Sequence, residues 1–332
     1  MFALAARDDV ESRIVQRVRR RYTLREGPFT RAQLRRMPPR DWTLLVQGVN
    51  LHDDRVDALL RRFAFIPYAR LDDLMVSYAA PGGGVGPHFD SYDVFLLQAF
   101  GQRRWRYGRQ EDLTLDAKAP VKILARFTPE HDATLDAGDM LYLPPDCAHD
   151  GIALGECITY SIGFRAAAWQ ELAEAFLDHL RDNLDIPGRY ADPDLRAHRG
   201  AAHIGAAMQR QVARALTAIR FDRAEIERFL GRYLSEPKPG VVFAPNQRMP
   251  RERFARRIAR DGVRLDRRTQ LLYDDARYYL NGDDEPLPQT DRDAVAALAN
   301  ERTLDASACA ALAAETIDLL HDWHRHGFLA DH

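Results

Sequence analysis

The feature that most constrains this chain is a run of short β-prone segments between Leu44 and Phe164: LLVQGV, DDLMVSYAA, DVFLLQAF, RRWRYG, VKILARF, DMLYLPP and ITYSIGF. Glycine, proline or aspartate turns separate them, and strands at this spacing close into a sandwich or a barrel. The preceding stretches SRIVQRVRRRYTL and RAQLRRM have no clean period and are expected to pack around that β unit. After Arg165 the period becomes helical: Trp169, Leu172, Ala173, Phe176, Leu177, Leu180 and Leu184 share one stripe, and Ile204, Met208, Val212, Leu216 and Ile219 another. A third helix, DRAEIERFLGRYL, runs into SEPKPG, which reads as a linker. Helices outside a β unit need cover for their apolar stripes, and a second copy of the chain supplies it, so a homodimer is expected.

Beyond the linker, RERFARRIARDG reads as a helix and RTQLLYDDARYYLNGDDEPL as a hairpin turning either at Asp274-Asp275 or at Asn281-Gly282. DRDAVAALAN and SACAALAAETIDLLHDWHRHG follow as helices, an arrangement like a winged helix. Residues 240–332 with Lys238 hold 13 Arg and 1 Lys against 16 Asp and Glu, a net of −2. A DNA-binding module carries clear positive charge, so this one is expected to contact protein rather than DNA.

The 332 residues exceed what one hydrophobic core usually serves, and the whole chain has a net charge of −2. No apolar run reaches membrane length, and MFALAARDDVESRIV is charged too early for an export signal, so no membrane partner and a cytoplasmic location are expected. Cys147, Cys157 and Cys309 are odd in number and unrelated in spacing, against a disulfide framework or a cysteine zinc site.

The stretch SYAAPGGGVGPHFDSYDVFLLQ carries the chemistry. Placed on a strand, His88 and Asp90 point to the same side and can face one ion while Phe89 faces away. His149, in a turn after the strand DMLYLP, is the third candidate. Two imidazoles and a carboxylate form the facial triad that leaves iron positions open for a cosubstrate and O2. In GQRRWRYG, alternation puts Arg103, Trp105 and Tyr107 on the inward face and Arg104 and Arg106 on the other. A buried guanidinium at Arg103 needs an anion, which a dicarboxylic cosubstrate would provide or, in a purely structural role, a buried acid of the chain. The PGGGVG run lacks the ending of a phosphate-binding loop and reads as a flexible loop near the metal; His321, His324 and His326 read as a solvated helix face.

Taken together, VSYAAPGGGVGPHFDSYDVFLLQAFGQRRWRYG, GDMLYLPPDCAHDG and TYSIGFR resemble the bacterial JmjC ribosomal oxygenases. The resemblance implies an α+β protein: a double-stranded β-helix of the JmjC/cupin type over 1–166, a helical dimerisation region over 167–236 and a winged-helix-like domain over 237–332. It further implies an Fe(II)- and 2-oxoglutarate-dependent hydroxylase of an arginine β-carbon in ribosomal protein number sixteen of the large subunit. His88, Asp90 and His149 would then hold iron, Arg103 the distal carboxylate of 2-oxoglutarate, and Ser77 a further hydrogen bond to it. Asp72 or Asp73, with Ser161 opposite, would receive the substrate arginine. Related activities are histidyl hydroxylation and N-methyl-lysine demethylation, and the non-enzymatic alternative is a silent cupin joined to a winged helix as a regulator. Family members usually begin with a further segment bearing a Trp-Lys-Pro motif, whereas this sequence starts at MFALAARDD.

Overall fold

A computed structural model describes residues 1–330 apart from 20, 166, 192–199, 201, 218 and 220. The described residues fall into two compact units, Met1–Ala166 with Pro237–Thr269 and Pro288–His332, and Ala167–Glu236 with Gln270–Leu287.

In the first unit, β1 (Ser12–Val18) and β2 (Arg21–Glu26) form a hairpin, followed by the short helix α1 (Arg31–Arg35), β3 (Trp42–Val46) and helix α2 (Asp54–Arg61). Then come β4 (Leu71–Ala79), β5 (Val94–Phe100), β6 (Arg103–Gly108), β7 (His131–Leu135), β8 (Met140–Leu143), β9 (Ala148–Ala153) and β10 (Cys157–Phe164). They make a seven-stranded sheet in the order β2-β1-β3-β4-β10-β5-β8 and a three-stranded sheet β7-β6-β9. The first hairpin, whose sequence showed no period, therefore extends the large sheet.

Strand alternation divides the large sheet's two faces between packing and chemistry. Leu44, Val46, Leu74, Val76, Ile162 and Phe164 join one buried cluster with Val49, Leu60 and Phe63, next to α2. On the other face, Val94, Leu96 and Leu143 pack on Trp105 of the small sheet, which closes the space between the sheets. Gly151 pairs with Trp105 across β6 and β9. A Cβ there would stand 2.6 Å from the indole ring, so only glycine lets the ring lie flat on the strand.

Three local expectations are corrected. VKILARF is no strand: it contributes only the isolated bridge Leu115–Leu124, and β7 lies later. His149 sits within strand β9 rather than in a turn, because AHDGIA finds a ready partner edge on β6. PGGGVG is pinned rather than flexible: Gly82 N donates to Ala153 O, and Ala153 N to Gly83 O, at 2.8 and 2.9 Å. The same unit contains helix α6 (Arg251–Asp261), which packs on the last helix (Ala314–Arg325), and the two-residue strands β11 (Val263–Arg264) and β15 (Thr303–Leu304), which pair with each other.

The second unit holds helices α3 (Trp169–Asn183), α4 (Ala206–Leu216) and α5 (Arg223–Ser235) with a three-stranded meander, β12 (Leu271–Tyr273), β13 (Arg277–Leu280) and β14 (Asp283–Pro286). Both candidate turns form: one at Asp274, and one at Asn281-Gly282, where both residues have positive φ as a two-residue hairpin of this hand requires. Helices α7 (Arg292–Glu301), α8 (Ala306–Ala310) and α9 (Ala314–Arg325) return to the first unit. On α9, His324 is buried against Phe254 and accepts from Asn246, and His321 donates to Met249 O, so these two serve packing rather than a solvated face.

Asp284 is 1% exposed and receives Arg228 from α5 at 2.9 Å and Arg277 at 2.5 Å. With Arg232 also 3.7 Å away, Asp284→Ala would leave three guanidinium groups without their shared carboxylate. It should lower unfolding free energy by about 2–3 kcal/mol, less than a fully buried pair because the arginines keep contact with water, as urea denaturation would show.

Candidate metal centre

The geometry begins with the backbone. His88 lies outside any regular strand, in an extended segment that forms a single bridge with His149. His88 N donates to His149 O at 2.9 Å and His149 N to His88 O at 2.8 Å. A third bond, Asp146 N to Asp90 O at 2.8 Å, fixes the far end of the HFD segment. The expected strand geometry of this motif is thus replaced by a loop held against β9. His88, Asp90 and His149 each offer one ligand atom within 4.8 Å of the others.

Each imidazole is oriented by the chain. His88 Nδ1 lies 2.8 Å from Gly86 O and His149 Nδ1 2.9 Å from Cys147 O. A carbonyl oxygen can only accept, so each Nδ1 carries the proton and each Nε2 keeps its lone pair for the cluster. Burial, with His88 adding to it, pushes the His149 pKa down to about 3 and keeps it neutral. Burial raises the Asp90 carboxyl, and neighbouring His88 and the Tyr92 hydroxyl pull it back. Two imidazoles offering Nε2 beside one carboxylate are the donor set of a divalent metal with open positions.

From His149 an aromatic and cationic series leads inward: its ring is 5.9 Å from Trp105, and the Arg103 guanidinium lies 5.6 Å from Trp105 in turn. Cross-strand pairing of Tyr107 with His149, Trp105 with Gly151 and Arg103 with Ala153 puts all of these on one face of the small sheet. Arg104 and Arg106, on the other face, bind Asp132 and Asp150. Arg103 is 5% exposed, and its Nε and Nη2 have no hydrogen-bond partner among the described residues. An unpaired buried guanidinium is costly, and an anion beside it would relieve that cost.

Ser77 is buried on β4 opposite Thr159 and donates to Thr159 O at 3.3 Å. Asp73, also buried, accepts from Gly48 N at 2.8 Å. Asp72 lies beside it with Arg165 at 3.4 Å. Ser161 pairs with Met75, while the position next to the Asp73 carboxylate belongs to Gly163, where a Cβ would stand 3.9 Å from Asp73 and 3.8 Å from Tyr92. Two contributors escaped sequence reasoning. Tyr92, which acts on the Asp90 carboxyl and is itself pushed up by burial and by Asp90, was signalled by its place two residues on; Lys238, 3.0 Å from Asp72 and 3.6 Å from Asp73, had no signal in a linker.

Residues 218–330 match the ROXA-like winged helix. Residues 58–172 carry the match to the JmjC domain. It is 40% identical over 200 residues to the ribosomal protein uL16 3-hydroxylase of Escherichia coli, covering 59% of this chain and 52% of that protein. It is 34% identical over 197 residues to a probable ribosomal oxygenase of Haemophilus influenzae, covering 58% and 46%. The chain thus aligns with about half the length of these curated relatives. In structure it is similar to the E. coli ribosomal oxygenase YcfD, with a TM-score of 0.81 and 29% identity over 99% of this chain and 88% of that one. The form of YcfD with cobalt and 2-oxoglutarate matches at a TM-score of 0.82 and 28% identity, over 99% and 88%. The fold is that of a JmjC/cupin barrel, with a helical region and a winged-helix domain C-terminal to it.

His149→Ala should abolish binding of Co(II), as calorimetry would show. Arg103→Met should keep the metal yet weaken 2-oxoglutarate by about 10- to 100-fold, the worth of a charge-assisted bidentate contact.

Proposed function

We propose that this chain is an Fe(II)- and 2-oxoglutarate-dependent oxygenase that places one hydroxyl on the β-carbon of an arginine in ribosomal protein uL16. The observation that carries the reading is Arg103, buried with unpartnered N–H groups on the same sheet face as His149. His88, Asp90 and His149 would hold iron through Nε2, a carboxylate oxygen and Nε2. Bound there, iron and 2-oxoglutarate would supply the O2-derived oxidant. Arg103 would clamp the distal carboxylate, with Ser77 adding a hydrogen bond. Trp105, Val94, Leu96 and Leu143 keep water from the space between the sheets.

Substrate choice rests on Asp72 and Asp73, whose charge suits a guanidinium, with Ser161 further along the same lining; the name of the E. coli relative supports arginine-bearing uL16 as the target. Relatives named as lysine-specific demethylases and histidyl-hydroxylases match only 31% of this chain or less. An acid pair serves a cation better than a neutral imidazole, which disfavours histidine.

The functional division remains a catalytic domain over 1–166, a helical dimerisation region over 167–236 and a winged-helix-like domain over 237–332, the last acting without DNA. A homodimer is supported by the apolar exposure of the helical unit: Trp169 is 88% exposed and Leu177 65%, and neither α3 nor α4 has a buried residue. A cytoplasmic location accords with a ribosomal-protein substrate; among the described residues no helix is long and apolar enough to cross a membrane.

Loaded anaerobically with Fe(II), given 2-oxoglutarate and exposed to air, the protein should add the mass of one oxygen to the arginine of a uL16 peptide, and His88→Ala should not. Turnover of 2-oxoglutarate without peptide oxidation would remove the substrate assignment. Light scattering should find a dimer that Leu177→Asp converts to monomer; a wild-type monomer at micromolar concentration would end the dimer assignment.

A further inference from the structure

Lys238 belongs to the SEPKPG segment, far in sequence from the barrel, yet its ammonium reaches Asp72 at 3.0 Å and Asp73 at 3.6 Å. Its approach is set by local backbone. Val241 N donates to Lys238 O at 3.0 Å, and Gly240 has φ +86°. Lys238-Pro239-Gly240-Val241 is therefore a turn with proline at its second position and a left-handed glycine at its third, the chemistry of a type II turn. Pro237 and Pro239 on either side restrict the backbone, so little entropy is lost in presenting the side chain.

The groups around the ammonium are few. Asp72 also meets Arg165, and Asp73 accepts from Gly48 N and neighbours Tyr92 at Gly163. Two carboxylates thus meet two cations, and the patch is neutral before any substrate arrives. Burial pushes the Asp73 carboxyl up and Lys238 pulls it down. An arriving basic side chain gains nothing by adding to this balance; it gains only by replacing the lysine.

We propose that Lys238 is an internal stand-in for the substrate cation, seated on Asp72 and Asp73, which an arginine side chain must displace to bind. This rests on the proposed hydroxylase reading and adds a specificity rule to it. A guanidinium offers a planar fork that can bond a carboxylate twice and so outcompetes a single ammonium. A substrate lysine makes the contact that Lys238 already makes, and gains nothing by the exchange. The stand-in therefore selects arginine over lysine, the two basic side chains that the acid pair alone would both accept.

The test is calorimetric binding of two peptides, Gly-Gly-Arg-Gly-Gly and its lysine counterpart, to the full chain without turnover. Lys238→Met keeps most of the apolar stem and removes the charge. It should bind the arginine peptide about threefold to tenfold more tightly than wild type, the worth of one part-exposed ion pair, and should narrow the preference over the lysine peptide. Lys238→Arg, which holds the acids with a fork of its own, should bind both peptides more weakly than wild type. Thermal unfolding of each variant checks that the fold is kept. Unchanged or weaker arginine binding in a folded Lys238→Met protein overturns displacement. Tighter binding without any oxygen gained by the uL16 peptide would sink the hydroxylase reading and leave displacement standing.

Discussion

The pair of backbone hydrogen bonds between His88 and His149 is the constraint on which the rest of the site depends. One partner lies in a loop that leaves the large sheet and the other in the small sheet, so the bridge joins the two sheets where the donor atoms gather. Side-chain placement follows from it. With each Nδ1 spent on a carbonyl within its own segment, neither ring can rotate without losing a bond. The donors are arranged by peptide geometry before any ion is present, which lowers the cost of assembling the site.

Electrostatics then separates the interior into two characters. Around the histidines, burial holds the His149 ring neutral and pushes the Asp90 carboxyl up, while His88 and Tyr92 pull that carboxyl down. Deeper, Arg103 stands against Trp105 with unpartnered N–H groups. A dianion with one end near the triad and the other near Arg103 relieves both at once. At the Asp72 and Asp73 end the charges already balance, so discrimination there depends on exchange rather than on attraction.

Much of this was legible in the sequence where local pattern and tertiary demand agree. The alternation in RRWRYG placed Arg103 and Trp105 inward because a strand has no other option. The helices α3 and α5 were readable because their stripes are long. The pattern failed where tertiary contacts override it. AHDGIA has Ile152 as its one β-branched residue and a glycine in its middle, and β6 makes it a strand. VKILARF has them, yet finds no edge to pair with beyond one bridge. HFD has the spacing of a strand without being one. Lys238 was invisible because nothing local to a proline-rich turn reports which carboxylates lie opposite it.

Strand β4 carries Leu74 and Val76 to the packed core on one side and Asp73 and Ser77 to the chemical interior on the other. That sharing has an evolutionary consequence. Inserting or deleting a single residue within the strand would exchange the two faces, sending aspartate and serine into the hydrocarbon cluster and leucine toward the ligands. A change in length is therefore tolerated between strands, where the long connection from Gly108 to His131 offers room, and not within this one. The spacing from Asp73 to Ser77 is then a fixed ruler, against which variation elsewhere in the barrel can be measured.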